Sequence, residues 1–389
     1  MMILATVFFV CISLIVFIYG LYGPILYIIR SFVRRNKANH ESTESGLPSV
    51  SLIIPAYNEE GWIEQKIDNS LNLNYPKSKL EVIVVTDGST DDTPLFASAF
   101  RDEIIFMHEA PRKGKISAMD RAAMVAGNDI LVYTDANTTL NDDALLHIAE
   151  HFEHEDVGMV SGEKRVLAKA DGESAQGEGL YWKYESWLKK LDSDVATVIG
   201  VAGELFAIKK ALYQTLPADT LLDDFMLSSK VIEQGYRVAY EKKAVATEYG
   251  STSYLEEWKR KVRICAGGLQ ASVRSRALFN FSRFGFKSFC FLVHRVSRWT
   301  IAPLALLVSY VCSAMLVTQS NLFAIYFILG SVALGLTIFS IYTNKKNLPK
   351  LLLLIVYFTF MHISAIAGWF RYLSGKQQVN WERAVRITG

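Results

Sequence analysis

Five short stretches of this chain carry residue types that do chemistry. Val85-Thr86-Asp87-Gly88-Ser89 ends an apolar run on an acid, and Tyr133-Thr134-Asp135-Ala136-Asn137 does the same. Leu222-Asp223-Asp224-Phe225 sets two acids side by side. Arg112-Lys113-Gly114-Lys115 concentrates positive charge, and Arg260-Lys261-Val262-Arg263 repeats it later. A carboxylate takes up a proton or holds a cation. A guanidinium holds anionic oxygens through paired N–H donors. Each stretch also has an ordinary reading. Asp-Gly-Ser is a common turn, adjacent acids at a helix start make an N-cap, and a basic loop can simply be solvated. The surrounding elements decide between these readings.

Ser49 to Pro55 is an apolar, β-branched run closed by proline, which predicts a buried strand. The pattern from Trp62 to Leu71 predicts a helix. Leu80 to Thr86 predicts a second strand, residues 103–107 a third, Ser117 to Ala126 a helix, and Asp129 to Thr134 a fourth strand. This alternation predicts an α/β domain, residues 48–275, around a mostly parallel sheet. Ligands of such sheets bind beyond the C-terminal strand ends. The loop from Pro55 through Tyr57 to Glu59, Asp87 and Asp135 all fall there, so they are read as one site.

The 389 residues correspond to two or three folding units. The 41 basic and 39 acidic side chains nearly cancel, which gives no sign of a nucleic-acid binder. Four scattered cysteines without a CxxC pair support neither a zinc knuckle nor a disulfide framework. Hydrophobic residues reach 51% because a few blocks are almost purely apolar. Residues 2–29 hold no charge and predict one membrane-spanning helix, residues 1–29. Arg30, Arg34, Arg35 and Lys37 follow, in a basic linker over residues 30–47, and place the next region in the cytoplasm. Thr300 to Asn344 is also uncharged and too long for one crossing, so it folds back near Thr318–Asn321. Spans are expected near 301–317, 322–342 and 351–372, with a tail over 374–389. Residues 279–299 interleave aromatics with cations and predict an amphipathic segment in the membrane interface. Residues 179–191 have a similar character.

In their order and separation these motifs resemble those of membrane-bound family 2 glycosyltransferases with a GT-A fold. The likeness is greatest to the branch of chitin-oligosaccharide, hyaluronan, cellulose and poly-N-acetylglucosamine synthases. It runs from about Pro48 through the terminal spans. It implies an inverting enzyme that takes sugar, GlcNAc or glucose, from a UDP-sugar and adds it to a growing membrane-associated glycan. Asp135-Ala136-Asn137 stands at the family's DxD position, which implies that Asp135 and Asn137 hold Mg²⁺ or Mn²⁺. Pro55, Tyr57, Glu59, Asp87 and Lys115 are implied to bind the nucleotide sugar. Asp224 matches the catalytic base, with Asp223 beside it. Gly203 and Glu204 fall at the acceptor loop. Arg260 and Arg263 fall in the QxxRW-type motif as clamps for the leaving diphosphate.

Two departures accompany the resemblance. Asn137 replaces the second acid of DxD, and Ile264 replaces the Trp of QxxRW. The missing ring points to a second reading, a non-processive enzyme acting on a lipid acceptor such as ceramide, diacylglycerol or a polyprenyl-linked sugar. A third is a non-catalytic subunit of glycan export. The expected surroundings are the inner membrane, a cytoplasmic catalytic domain, the lipid bilayer, and an envelope export partner or a second copy of the chain.

Overall fold

The computed structural model describes residues 1–33, 46–167, 173–249, 254–343 and 349–375. The linker cations Arg34, Arg35 and Lys37 and the tail beyond Gly375 lie outside the described residues. In chain order, α1 (Met2–Ile15) continues through a π-helical turn into α2 (Tyr22–Phe32). The sheet domain follows: β1 (Val50–Ala56), α3 (Ile63–Leu71), β2 (Leu80–Asp87), α4 (Thr93–Ser98), β3 (Ile105–Glu109), α5 (Lys115–Val125), β4 (Ile130–Thr134), β5 (Thr139–Leu140) and α6 (Ala144–Glu150). It continues with β6 (Val157–Leu167), α7 (Glu173–Val195), β7 (Leu205–Lys209), α8 (Asp223–Glu233) and β8 (Arg237–Tyr249). The remaining elements are helical: α9 (Tyr254–Arg274), α10 (Phe281–Phe284), α11 (Phe286–Cys290), α12 (Ser297–Trp299), α13 (Ile301–Met315), α14 (Asn321–Thr343) and α15 (Lys350–Leu373).

Among the described residues, eight strands form one sheet in the order β3-β2-β1-β4-β7-β6-β8-β5. The strands expected from the alternation, β1 to β4, are parallel to one another. The sheet as a whole is mixed, which corrects the expectation of a mostly parallel one. Leu205–Lys209, directly after the Gly203-Glu204 acceptor loop, is the central strand β7 and runs antiparallel to both β4 and β6. Its run Leu-Phe-Ala-Ile is fully buried, as a strand covered on both faces requires. Side chains alternate across β1: Ile53 packs with Ala118, Met119 and Ala122 of α5, while Ile54 packs with Ile63 and Ile67 of α3. The two helices therefore clamp opposite faces and fix the strand ends that form the site.

Three helices among the described residues are long and apolar enough to cross a membrane: Met2–Phe32, Asn321–Thr343 and Leu351–Leu373. Phe286–Trp299 and Ile301–Met315, bent by 48°, supply a fourth as a broken pair. The protein is a multi-pass membrane protein. Phe8 of α1 packs edge-on against Phe323 and Tyr326 of α14. Where the helices meet the sheet domain, the contacts turn polar. The Tyr22 hydroxyl donates to Asp192 Oδ1 at 2.5 Å. His294 holds the other oxygen of Asp192. Arg295 and Arg298 pair with Glu185 at 2.6 and 3.1 Å. The aromatics of residues 279–299 divide: Phe284 and Phe291 join the domain core, while Phe279 and Phe281 remain exposed.

The helix α15 lies along α9. Tyr357 reaches Glu257, Phe360 meets Trp258 at 5.9 Å between ring centroids, and Ala365 O lies 3.2 Å from Cys265 Sγ. Eight residues on one helix match eight on the other, about 12 Å of shared axis. A Cβ on Gly368 would come within 2.7 Å of the Cys265 Cβ, so glycine permits this close approach.

Candidate active site

Two cavities meet at the start of α8. The larger, about 320 Å³, lies beyond the ends of β1, β2 and β4. The smaller, about 200 Å³, lies between the sheet domain and the membrane helices. Asp223 lines the first and Asp224 the second. Arg263 and Arg260 divide in the same way, Arg263 on the strand-end side and Arg260 on the membrane side.

The strand-end cavity gathers Pro55, Tyr57, Glu59, Asp87, Lys115 and Asp135, with Asn137 beside them. The loop after β1 is tied to the loop after β2. Asn58 takes a left-handed conformation (φ 54°), which Asn tolerates. Its Oδ1 accepts from Thr90 N at 2.8 Å, and Glu59 N donates to Thr93 Oγ1 at 2.7 Å. The Arg112 guanidinium stacks 3.6 Å above the Tyr57 ring. Asp87 has a more internal position than its motif suggested. Its Oδ2 accepts from the backbone N–H of Lys113 and Gly114 at 3.0 and 2.6 Å, and its Oδ1 pairs with Arg121 at 2.9 Å. The carboxylate therefore pins the 112–115 loop. A Cβ on Gly88 (φ +67°) would strike Arg112 N at 2.5 Å, so the loops close only over glycine.

Lys115 stands among the acids. Its Nζ lies 2.8 Å from Asp135 Oδ1 and 3.8 Å from Asp223 Oδ2. Burial opposes its charge, but Asp135 and Asp223 outweigh burial and raise its pKa. Asp223 Oδ2 is buried without a hydrogen bond in the protein, so it is left to accept from a bound molecule. For a metal, Asp135 and Asn137 supply one carboxylate and one amide oxygen to the cavity. No group of three or more His, Cys, Asp or Glu suited to a metal lies among the described residues. This sparse oxygen set fits a hard divalent ion that keeps water and shares a ligand's phosphate oxygens. It does not make a closed protein cage.

Sequence reasoning missed two supports of this cavity. Arg121 pairs with Asp87 from one turn along α5. Lys66 is buried under the Asp135 loop and donates to Thr134 Oγ1 and Thr138 O, both at 2.9 Å. Burial drops its pKa to about 7, against the pull of Asp135. The signal for Lys66 was a lysine on the apolar face of α3, one residue before Ile67.

On the membrane side, Asp224 is the central group. Burial first, and then the charge of Asp223, push its pKa up to about 7 against the pull of Lys115. Its Oδ1 accepts from Phe225 N at 2.7 Å. A Cβ on Gly203 would sit 3.1 Å from Asp224 Oδ2, so glycine keeps that oxygen open to the cavity. Glu204 lines the same cavity and pairs with buried Lys164 at 2.5 Å. Ile264 lines it too, at the position of the family motif's Trp. Arg260 is held by Glu257 at 2.9 Å, and with Lys261 it drops the Glu257 pKa to about 2 despite burial. Tyr19, Met361, His362 and Ala365 of the membrane helices form one side of the cavity's wall.

Comparison with known proteins agrees with this arrangement. Residues 51–216, from β1 past β7, match the model of "Glycosyl transferase family 2". The chain is 26% identical over 268 residues to the poly-beta-1,6-N-acetyl-D-glucosamine synthase of Staphylococcus aureus (strain MSSA476), which is 66% of this chain and 64% of that protein. It therefore spans under two thirds of that relative's length. It is 25% identical to the probable glycosyltransferase YdaM of Bacillus subtilis (strain 168), with 90% of each chain covered. Among solved structures, the mannosyltransferase PcManGT from Pyrobaculum calidifontis, in complex with GDP-Man and Mn²⁺, superposes with a TM-score of 0.70. That pair shares 24% identity over 95% of this chain and 100% of the other, and the likeness is one of fold. With these matches, residues 51–216 are similar to family 2 glycosyltransferases, the fold is GT-A-like, and the chain is a multi-pass membrane protein with a cavity at the strand ends and a carboxylate pair at its inner wall.

Proposed function

We propose that this enzyme transfers a sugar, with inversion, from a UDP-sugar in the strand-end cavity to an acceptor hydroxyl in the membrane-side cavity. One observation carries the reading: Asp223 and Asp224 stand at the junction of the two cavities, one opening on each. The acceptor oxygen attacks the anomeric carbon from the side opposite the diphosphate. Asp224 takes its proton as the bond forms, and a pKa near 7 makes it a better base than an ordinary aspartate. Asp223 Oδ2 accepts from a hydroxyl of the donor sugar. Lys115 and Arg263 face the departing diphosphate. Mg²⁺ or Mn²⁺ at Asp135 and Asn137 would neutralise charge on that leaving group. The basic flank after the first span supports a catalytic domain in the cytoplasm.

Two acceptors suit this site. The name of the staphylococcal relative favours a growing poly-N-acetylglucosamine chain and GlcNAc as the sugar. The cavity favours a single transfer to a lipid-linked acceptor, because membrane helices form one wall and Ile264 stands where the family motif carries its Trp. The proposed acceptor is therefore lipid-linked. The test is transfer by reconstituted full-length protein from labelled UDP- and GDP-sugars with Mg²⁺ or Mn²⁺, with Asp224→Asn as control. One labelled species in the organic phase supports it. A ladder of water-soluble glycan favours the polymerase, and no transfer from any donor in native membranes removes the enzyme reading.

A further inference from the structure

Most cations around the membrane-side cavity are matched to acids. Arg260 and Lys261 share Glu257, Arg295 and Arg298 share Glu185, and Lys164 lies between Glu204 and Glu248. Lys189 differs. It is 3% exposed and lines the cavity from α7. Its neighbour Lys190 faces Asp194, but among the described residues no carboxylate lies within ion-pair distance of Lys189 Nζ and no hydrogen bond reaches it. Its one close partner is the Trp182 ring, 5.4 Å away. Burial and the nearby Arg295 lower its pKa, with partial relief from Glu185, Glu163 and Glu204. A buried ammonium without a counter-ion is costly. Arg298, in the same lining, also keeps its Nε buried without a partner. Two cationic groups of one cavity thus retain unused donors.

We propose that Lys189 is an anion-binding residue for the acceptor, and that the anion is the phosphate of a lipid. This rests on the reading of the membrane-side cavity as the acceptor site. The choice of a lipid follows from the wall. Tyr19 belongs to Met2–Phe32, and Met361, His362 and Ala365 belong to Leu351–Leu373, both apolar enough to sit in a bilayer. A lipid phosphate entering past them meets Lys189, while the hydroxyl to be glycosylated meets Asp224. The aromatic face of Trp182 holds the ammonium in place without neutralising it, so the charge stays available.

Full-length protein in detergent would be titrated with farnesyl phosphate, farnesol and inorganic phosphate, following Trp fluorescence, since Trp182 and Trp299 line the cavity. Farnesyl phosphate is expected to bind at least about 10-fold tighter than farnesol. Lys189→Met should erase that gap and leave farnesol binding unchanged, and Lys189→Arg should keep it. Equal affinities in the unsubstituted protein, or a gap that survives in Lys189→Met, would overturn the proposal. Inorganic phosphate binding as tightly as farnesyl phosphate would overturn its lipid half. Should Lys189→Met fail to fold, salt gives a second readout. Raising KCl from about 50 to about 500 mM should weaken farnesyl phosphate several-fold and spare farnesol, and equal effects would refute the ion pair. Binding is read without turnover, so failure here leaves glycosyl transfer standing. Absence of UDP-sugar binding in the same preparation would instead count against the proposed function.

Discussion

Asp223 and Asp224 are neighbours in the chain and open on different cavities. The first turn of α8 causes this, because successive side chains on a helix point about 100° apart. One carboxylate faces the strand ends beside Lys115, and the other faces the membrane side beneath Gly203. In the proposed reaction, one helical turn would thereby face both substrates.

Asp224→Asn should lower the transfer rate by about 10³-fold, within the range for loss of a general base, and leave donor affinity nearly unchanged. Single-turnover transfer and calorimetric titration with UDP would separate the two effects. Donor affinity lost together with rate would mean that the residue holds the donor.

The pH profile follows from the same carboxyl. Only ionised Asp224 accepts a proton, so kcat/KM should rise with pH through about 7 and level above it. Asp223→Asn removes a neighbouring negative charge that raises this pKa, so the limb should move to lower pH. Lys115→Met removes a positive charge that lowers it, so the limb should move to higher pH. A profile indifferent to both substitutions would point to a different base.

Gly203→Ala places a methyl 3.1 Å from Asp224 Oδ2. Transfer should fall about 10- to 100-fold through displacement of the acceptor or the base. Hydrolysis of the donor by water, a much smaller acceptor, should fall less. Equal losses in both assays would show that the methyl disturbs the base alone.

Asp87 is predicted to act through the loop it pins. Asp87→Ala should weaken UDP binding by about 10-fold, and Arg121→Met should shift binding in the same direction because it removes the partner of a buried pair. Calorimetry on both variants decides this. A loss in Asp87→Ala with no change in Arg121→Met would indicate direct contact between Asp87 and the nucleotide.

The position of α15 bears on the C-terminus. Its face from Tyr357 to Gly368 lies along α9, a helix that carries Glu256, Glu257, Lys259, Arg260, Lys261 and Arg263. Such a charged helix does not cross the hydrocarbon core, which fits α15 entering the bilayer without crossing it, and Arg371 near the end of α15 favours the cytoplasmic side. Residue 374 is therefore expected on the same side as the sheet domain. Ser374→Cys and Asp102→Cys should react with an impermeant maleimide from the same face of sealed vesicles. The four native cysteines are buried and should stay silent. Labelling from opposite faces would make α15 a full crossing.

Much of this protein was legible in the sequence because the signals were local. Uncharged blocks longer than a bilayer is thick give membrane helices. An apolar run ending on Asp87 or Asp135 gives both a strand and the position of an acid at its end. The order of the acidic motifs pointed to the family. The sequence did not reveal β7, because five buried residues between two loops are indistinguishable from a loop until β4 and β6 supply their hydrogen bonds. It did not separate Asp223 from Asp224, since their difference is one of direction and not of residue type. Arg121 and Lys189 look like any surface cation in the chain, and Lys66 differs only in lying on the apolar face of its helix. Their roles come from burial and from partners 68, 34 and more than 100 residues away, or from the lack of one: Thr134 for Lys66, Asp87 for Arg121, and for Lys189 a cavity wall completed by His294 and His362. Residue type and spacing are carried by the chain itself. The cost of a buried charge, and what relieves it, depends on which distant segments surround it, and only the tertiary fold sets that.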